Sequence, residues 1–205
     1  MGELIAISPG TQNQMSTYEE LYREYLDNRA LVLNDEINEN IIEDFVLYIL
    51  KWNKEDINIP PEKRMPIKLY ISSPGGNIFD SNILIDVIRE SKTPVFGIGL
   101  DLVASAAFVA YLACHHRYAF KNTSFLQHEG ELAIENSRSK FKQTAMYFDE
   151  SEAISKQFIL SRTNMSEEFY DSVYDQELWM HADKAKELGI VDTIIGIDCD
   201  MDEIL

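Results

Sequence analysis

Apolar positions along the chain change period several times, from helical spacing to strand spacing and back. Tyr18, Leu21, Tyr22, Tyr25 and Leu26 recur at helical spacing, and Ser16 with Glu19 three residues on forms a capping box that opens this helix. Residues 30–33 read as a short buried strand, and Ile41, Ile42, Phe45, Val46, Ile49 and Leu50 mark a second amphipathic helix. The polar segment 53–65 holds Pro60 and Pro61 and is expected to be a loop. Residues 67–71 predict a strand that stops at Ser72-Ser73-Pro74-Gly75-Gly76, and Phe79, Ile83, Leu84, Val87 and Ile88 predict a third helix. A strand is expected at 95–98, a buried helix at 105–114, and strands at 117–120 and 124–127. Residues 137–162 predict a long helix with wide polar faces that projects from the core. A last helix at 182–188 is stopped by Gly189, and Ile190-Val191 begins a final strand.

Strands that alternate with helices of ten or more residues call for right-handed βαβ units and a largely parallel sheet. No internal repeat or linker divides the chain, so one domain is expected over residues 16–197. It is flanked by a flexible arm or loose hairpin at 1–15 and by an acidic tail at 198–205 that is expected to fray. At 45% hydrophobic and 26% charged residues, the 205-residue chain can bury a sizeable core. The formal net charge of −17 has the wrong sign for displacing counterions from phosphate, which argues against nucleic-acid binding. No stretch reaches the roughly 18 apolar residues of a spanning helix, and Leu4 to Ile7 is too short for a signal segment. A cytoplasmic protein without membrane attachment is expected. Cys114, in an apolar run, reads as a buried free thiol, and no Cys-x-x-Cys pair suggests a metal site.

Three features carry potential chemistry. At the strand end Ser73-Pro74-Gly75-Gly76, glycines permit close backbone approach, and bare amides there can point at an oxyanion; taken alone, it reads as a tight turn. Ser105 sits among small residues in Leu102-Val103-Ala104-Ser105-Ala106-Ala107, where a hydroxyl at a helix start lies beside unpaired amides; the plainer reading is a helix cap. His128 follows the strand 124–127; histidine is a residue type suited to general-base work, and the plainer reading is a strand-end histidine bonded to backbone. His115, His116 and His181 read as surface or helix-end residues.

Together these segments resemble the Clp protease proteolytic subunit family, ClpP, over about residues 18–195. The resemblance rests on Leu69-Tyr70-Ile71-Ser72-Ser73-Pro74-Gly75-Gly76, on Ala104-Ser105-Ala106, and on Asn122-Thr123-Ser124-Phe125-Leu126-Gln127-His128. The closing run from Ala182 to Asp192 completes it. It implies an α/β fold of the ClpP/crotonase type, with repeated ββα-like units and a projecting strand-helix handle over 130–162. It also implies a serine endopeptidase without metal or other cofactor, with Ser105 as nucleophile, His128 as base, and the Gly76 and Ala106 amides as oxyanion hole. The family's third triad member, an aspartate, falls on Glu177, with Asp175 the alternative two residues earlier. Peptides or unfolded proteins would be substrates, stacked heptameric rings (a tetradecamer) the assembly, and a separate AAA+ unfoldase ATPase a partner. Phe141, Tyr147 and Phe148 would supply apolar handle contacts. The chain departs from the family's Met-Ala-Ala-Ser-Met-Gly around the serine and has Glu129-Gly130 after the histidine in place of Gln-Pro. A catalytically silent ring subunit and a crotonase-type acyl-CoA enzyme are the alternatives.

Overall fold

The computed structural model describes residues 16–131 and 137–205, so the expected arm at 1–15 lies outside the described residues. Helix α1 (Thr17–Asp27) begins with the expected capping box: the Glu19 N–H donates to Ser16 Oγ, and the Ser16 N–H donates to the Glu19 carboxylate at 2.7 Å. The reciprocal pair satisfies amides that a helix start leaves free. β1 (Ala30–Leu33) follows. The second helix opens with a π-helical turn, Ile42–Val46, and continues as α2 (Leu47–Glu55), three residues into the segment expected to be loop. Phe45, Val46, Ile49 and Trp52 are buried across this junction.

The remaining elements in chain order are β2 (Ile67–Ser73), α3 (Ile78–Glu90), β3 (Val95–Ala104), α4 (Ser105–Ala113), β4 (His116–Phe120) and β5 (Ser124–Gln127). Then come α5 (Arg138–Arg162), α6 (Glu167–Val173), β6 (Leu178–His181), α7 (Ala182–Glu187) and β7 (Thr193–Ile195). The sheet runs β1-β2-β3-β4-β7, all parallel, as the βαβ alternation predicts. β3 is long enough to serve two regions: its first half pairs with β4, and its last three residues pair with β5. β6 runs antiparallel to β5. Neither α6 nor β6 is visible in the apolar periodicity, because each is short and half solvated. The last strand starts at Thr193 rather than Ile190; Ile190 and Val191 are buried just after α7, and Asp192 pairs with the Arg117 guanidinium at 2.7 Å.

Strand β2 explains the layering. Ile67, Leu69, Ile71 and Ser73 are buried while the residues between them are half open, the period of two that a pleated strand imposes. The buried face packs on α3 and α4, where Leu84, Ile88, Phe108 and Tyr111 lose all solvent contact. The other face carries Tyr70, Phe96, Ile98, Tyr118 and Phe120 and is covered by the chain end. The stretch from Asp198, expected to fray, is packed there: Ile204 is 4% exposed, and the Tyr70 hydroxyl donates to its carbonyl at 3.2 Å. A cavity of about 650 Å³ opens beside this cover, between α1, β1 and Ile204.

One buried ion pair ties the edge strand to α2. Arg29 donates to both oxygens of Asp56, at 2.6 and 2.8 Å, and the Thr93 hydroxyl donates a third bond at 3.0 Å. The Arg29 guanidinium holds the Asp56 carboxyl below its usual range, against the burial that raises it. Arg29→Ala would leave a buried carboxylate uncompensated, at an expected cost of about 3 kcal/mol in urea unfolding at pH 7. Because the folded carboxyl titrates lower than the unfolded one, its stabilisation is complete above the unfolded value of about 3.9 and is lost as pH falls through the folded one. The difference between parent and variant should therefore shrink in acid. Equal stability at pH 7 would show that the pair contributes nothing.

Candidate active site

Strand β3 delivers Ser105 to the surface of a cavity. Ala104 is still extended (φ −124°, ψ 151°), and Ser105 turns to φ +54° as the first residue of α4. A non-glycine residue in this region costs about 1–3 kcal/mol and persists only where its surroundings dictate it. Here α4 dictates it, since Ala106, Ala107, Phe108, Ala110 and Tyr111 lock the helix into the core. The helix-cap reading of Ser105 is thereby overturned: Ala104 holds the cap position, and the Ser105 hydroxyl has no hydrogen-bond partner among the described residues. The result is a half-buried hydroxyl presented at a strained strand-to-helix turn, the geometry that other hydrolase folds use to expose a nucleophile.

The Gly75-Gly76 turn lies directly against it. A Cβ on Gly75 (φ +98°) would stand 2.7 Å from the Ser105 Cβ and 2.9 Å from the Ala106 nitrogen, so only glycine lets the two chains approach this closely. The turn is pinned from below. Ser73 Oγ accepts from the Gly75 N–H at 3.1 Å and donates to the Asp35 carbonyl, and the Ile37 N–H donates to the Gly75 carbonyl at 2.7 Å. Asn77 donates its N–H to the Ile37 carbonyl and uses its side chain to cap α3. Among the described residues nothing accepts from the N–H of Gly76 or of Ala106.

His128 follows β5, which runs beside the end of β3 with Val103 opposite Phe125 and Ala104 opposite Leu126. Ser105 and His128 consequently line one cavity of about 300 Å³, together with Ala106 and Glu129. No hydrogen bond joins Ser105 to His128 among the described residues. The pairs of β5 with β6 run from Ser124–His181 to Gln127–Leu178, and His128 and Glu177 are the next residues beyond the last pair, outside both strands. Glu177 is exposed, and its carboxylate accepts from the Trp179 indole N–H at 2.8 Å rather than from the imidazole. Asp175 lies three residues before β6, in the exposed turn after α6.

The other histidines have structural partners or positions. His115 Nδ1 accepts from the Val95 N–H, His116 Nε2 meets the Thr193 hydroxyl at 2.8 Å, and His181 precedes α7 without capping it. Cys114 is a buried free thiol whose pKa is pushed up to about 12 by burial. Among the described residues no His, Cys, Asp and Glu cluster could hold a metal ion, and no helix is long and apolar enough to cross a membrane. Sequence reasoning missed two lining residues. Gln127 reads as part of an apolar strand yet is a buried amide in the cavity wall, and Glu152 on α5 accepts from the Gly130 N–H at 3.0 Å. Phe148, expected as an exposed handle residue, is 8% exposed and packs beside Gly130, whereas Phe141 and Tyr147 remain more than half exposed.

Comparison with known proteins agrees with this architecture. Residues 12–198 match the sequence profile described as Clp protease. The chain is 27% identical over 184 residues to the ATP-dependent Clp protease proteolytic subunit 2 of Treponema pallidum, covering 88% of each chain. It is 26% identical over 171 residues to the subunit of the same name from Pseudomonas aeruginosa, covering 82% of this chain and 81% of that one. A solved structure of a ClpP1 mutant from Listeria monocytogenes superposes with a TM-score of 0.75 at 24% identity, covering 90% of this chain and 99% of that one, which establishes the shared fold. The chain belongs to the Clp protease family, as a divergent member among its proteolytic subunits.

Proposed function

We propose that the chain is a serine endopeptidase subunit in which Ser105 attacks the peptide carbonyl and His128 accepts its proton. One observation carries this reading: an unpartnered hydroxyl on a left-handed strand-to-helix residue shares a cavity with an imidazole, beside two amides that nothing in the described chain uses. The N–H groups of Gly76 and Ala106 would bind the oxyanion that forms on the attacked carbonyl. His128 would pass its proton to the leaving amine, and water would then release the acyl group from Ser105. No metal or nucleotide is needed for these steps.

Glu177 is the preferred third member over Asp175, because it lies next to Leu178, the β6 residue paired with Gln127, and so is nearer in sequence to the strand pair beside His128. A carboxylate there keeps the imidazole in the correct tautomer and stabilises its charge. Glu177→Ala is expected to lower turnover about 10²-fold or more, and Asp175→Ala to change it less than about threefold. A reversed order would move the role to Asp175. Bonds between nucleophile and base are commonly loose before substrate arrives, so a resting chain whose relay closes on substrate or assembly would lack the Ser105–His128 bond. The same absence is what a silent ring subunit would display. A crotonase-type acyl-CoA reaction gains no support from a nucleophile-like serine.

Assembly into stacked rings is supported by apolar residues left open on α5, where Phe141, Met146, Tyr147 and Ile154 are each about half or more exposed. Unfolded polypeptide as substrate, a cytoplasmic setting and an AAA+ unfoldase as partner belong to the same proposal. Hydrolysis of fluorogenic peptides by the assembled protein, measured beside its mass in solution, tests it. Turnover that depends on Ser105 supports the peptidase. An assembled, folded protein without any turnover, with or without an unfoldase, supports the silent subunit.

A further inference from the structure

The wall of the Ser105 cavity contains a polar group with no protein partner. Gln127 is 3% exposed and lines the cavity, and its side-chain oxygen makes no hydrogen bond. A buried acceptor left unpaired costs about 1–3 kcal/mol, a cost a ligand N–H would recover. The oxygen itself has almost no open surface, so a donor in the cavity reaches it only when the Gln127 side chain turns inward.

The charges of the cavity state which donor. Besides His128 and three tyrosines, four ionisable side chains line it: Asp86, Arg89, Glu129 and Glu152. Arg89 is already engaged, lying 3.9 Å from Asp86 and stacked 5.1 Å over the Phe158 ring. Glu129 and Glu152 have no cationic partner among the described residues. Glu152 is held by the Gly130 N–H, and it adds to the upward push that burial gives the Tyr174 pKa. Gly130 also ties Glu152 to Phe148 and Ile78, for all three come within 3.2 Å of where a Gly130 Cβ would stand. The cavity thus combines apolar walls with a fixed, half-buried carboxylate and an orphaned carboxamide.

We propose that this cavity is a specificity pocket for a basic side chain, so that the peptidase cleaves after lysine or arginine in preference to leucine or methionine. The inference rests on the peptidase reading of Ser105. The methylene stem of lysine or arginine lies along Phe148 and Ile78 and carries its charge to Glu152, and a turn of the Gln127 side chain lets its oxygen accept from an N–H of the head group. Leucine in the same place leaves Gln127 unpaired and strips water from Glu152 without replacing it. Sites built to hydrogen-bond a substrate group discriminate strongly against analogues that lack it.

The test compares two peptidyl phosphonate probes that differ only in the side chain next to phosphorus, lysine-like or leucine-like, by their rates of labelling Ser105. A general fluorophosphonate serves as control. The lysine probe is expected to label at least about tenfold faster, and the lysine-to-leucine ratio to fall about tenfold in Glu152→Gln and several-fold in Gln127→Leu. Near-ultraviolet circular dichroism establishes that each variant is folded. General labelling with equal or faster reaction of the leucine probe overturns the basic preference alone. A ratio unmoved by both substitutions overturns the assignment of Gln127 and Glu152. Failure of the general probe itself overturns the peptidase reading, and the specificity with it.

Discussion

Ser105→Ala is expected to lower peptide hydrolysis about 10⁴-fold or more while leaving the fold intact, because the hydroxyl bonds to no described residue. His128→Ala should cost about the same. The double variant should be little worse than either, since residues that act as one unit lose their joint effect once. Stability supplies an independent check on the geometry. Alanine at φ +54° keeps the backbone strain, whereas glycine does not, so Ser105→Gly should unfold about 1 kcal/mol later than Ser105→Ala. Activity retained within tenfold in Ser105→Ala would remove the nucleophile from the proposal. Equal stability of the glycine and alanine variants would remove the strained turn.

Gly76→Ala is expected to have the largest effect on the folded state. At φ +143°, the new Cβ would stand 2.3 Å from the Ile37 carbonyl oxygen and 2.7 Å from the Ile37 nitrogen. That backbone cannot retreat cheaply, since Ile37 donates to Gly75 and accepts from Asn77, and Asn77 in turn caps α3. The expected cost exceeds about 3 kcal/mol in chemical unfolding. Under the proposed oxyanion role of the Gly76 N–H, displacing the turn should also lower turnover at least about 10²-fold even where the variant folds. Gly196→Ala is the matched control. It too has positive φ (+83°), but nothing lies within 4 Å of its added Cβ, so it should cost only its backbone strain, about 1–2 kcal/mol. Similar losses at both positions would mean that conformation alone, without the Ile37 clash, fixes glycine at 76.

The contrast between these two glycines shows what the sequence could carry. Alternating apolar periods in residues 67–127 announce the parallel core, and the Ser16–Glu19 spacing announces a capping box, because both depend on neighbours within a few positions. The same locality placed Ser105 at a helix start and His128 at a strand end. What stayed hidden depends on distant chain. Whether Gly75 can touch Ser105, or Ile37 can pin Gly76, is settled by β1 and β3 flanking β2 and appears in no local pattern. Ile204 looked like part of an acidic, fraying end and is buried by a face of the sheet whose need for cover is tertiary. Phe148 looked like a handle residue and packs at Gly130. The β5–β6 pairing comes from two four-residue strands too short to leave a period.

The central claim, that Ser105 is a nucleophile activated by His128, is tested most directly by treating the purified, assembled protein with a fluorophosphonate serine probe and locating the adduct by mass spectrometry. Labelling confined to Ser105, and lost in both Ser105→Ala and His128→Ala, is the expected result. A folded, assembled protein that stays unlabelled with and without an unfoldase, or that labels at Ser105 equally well without His128, would contradict it.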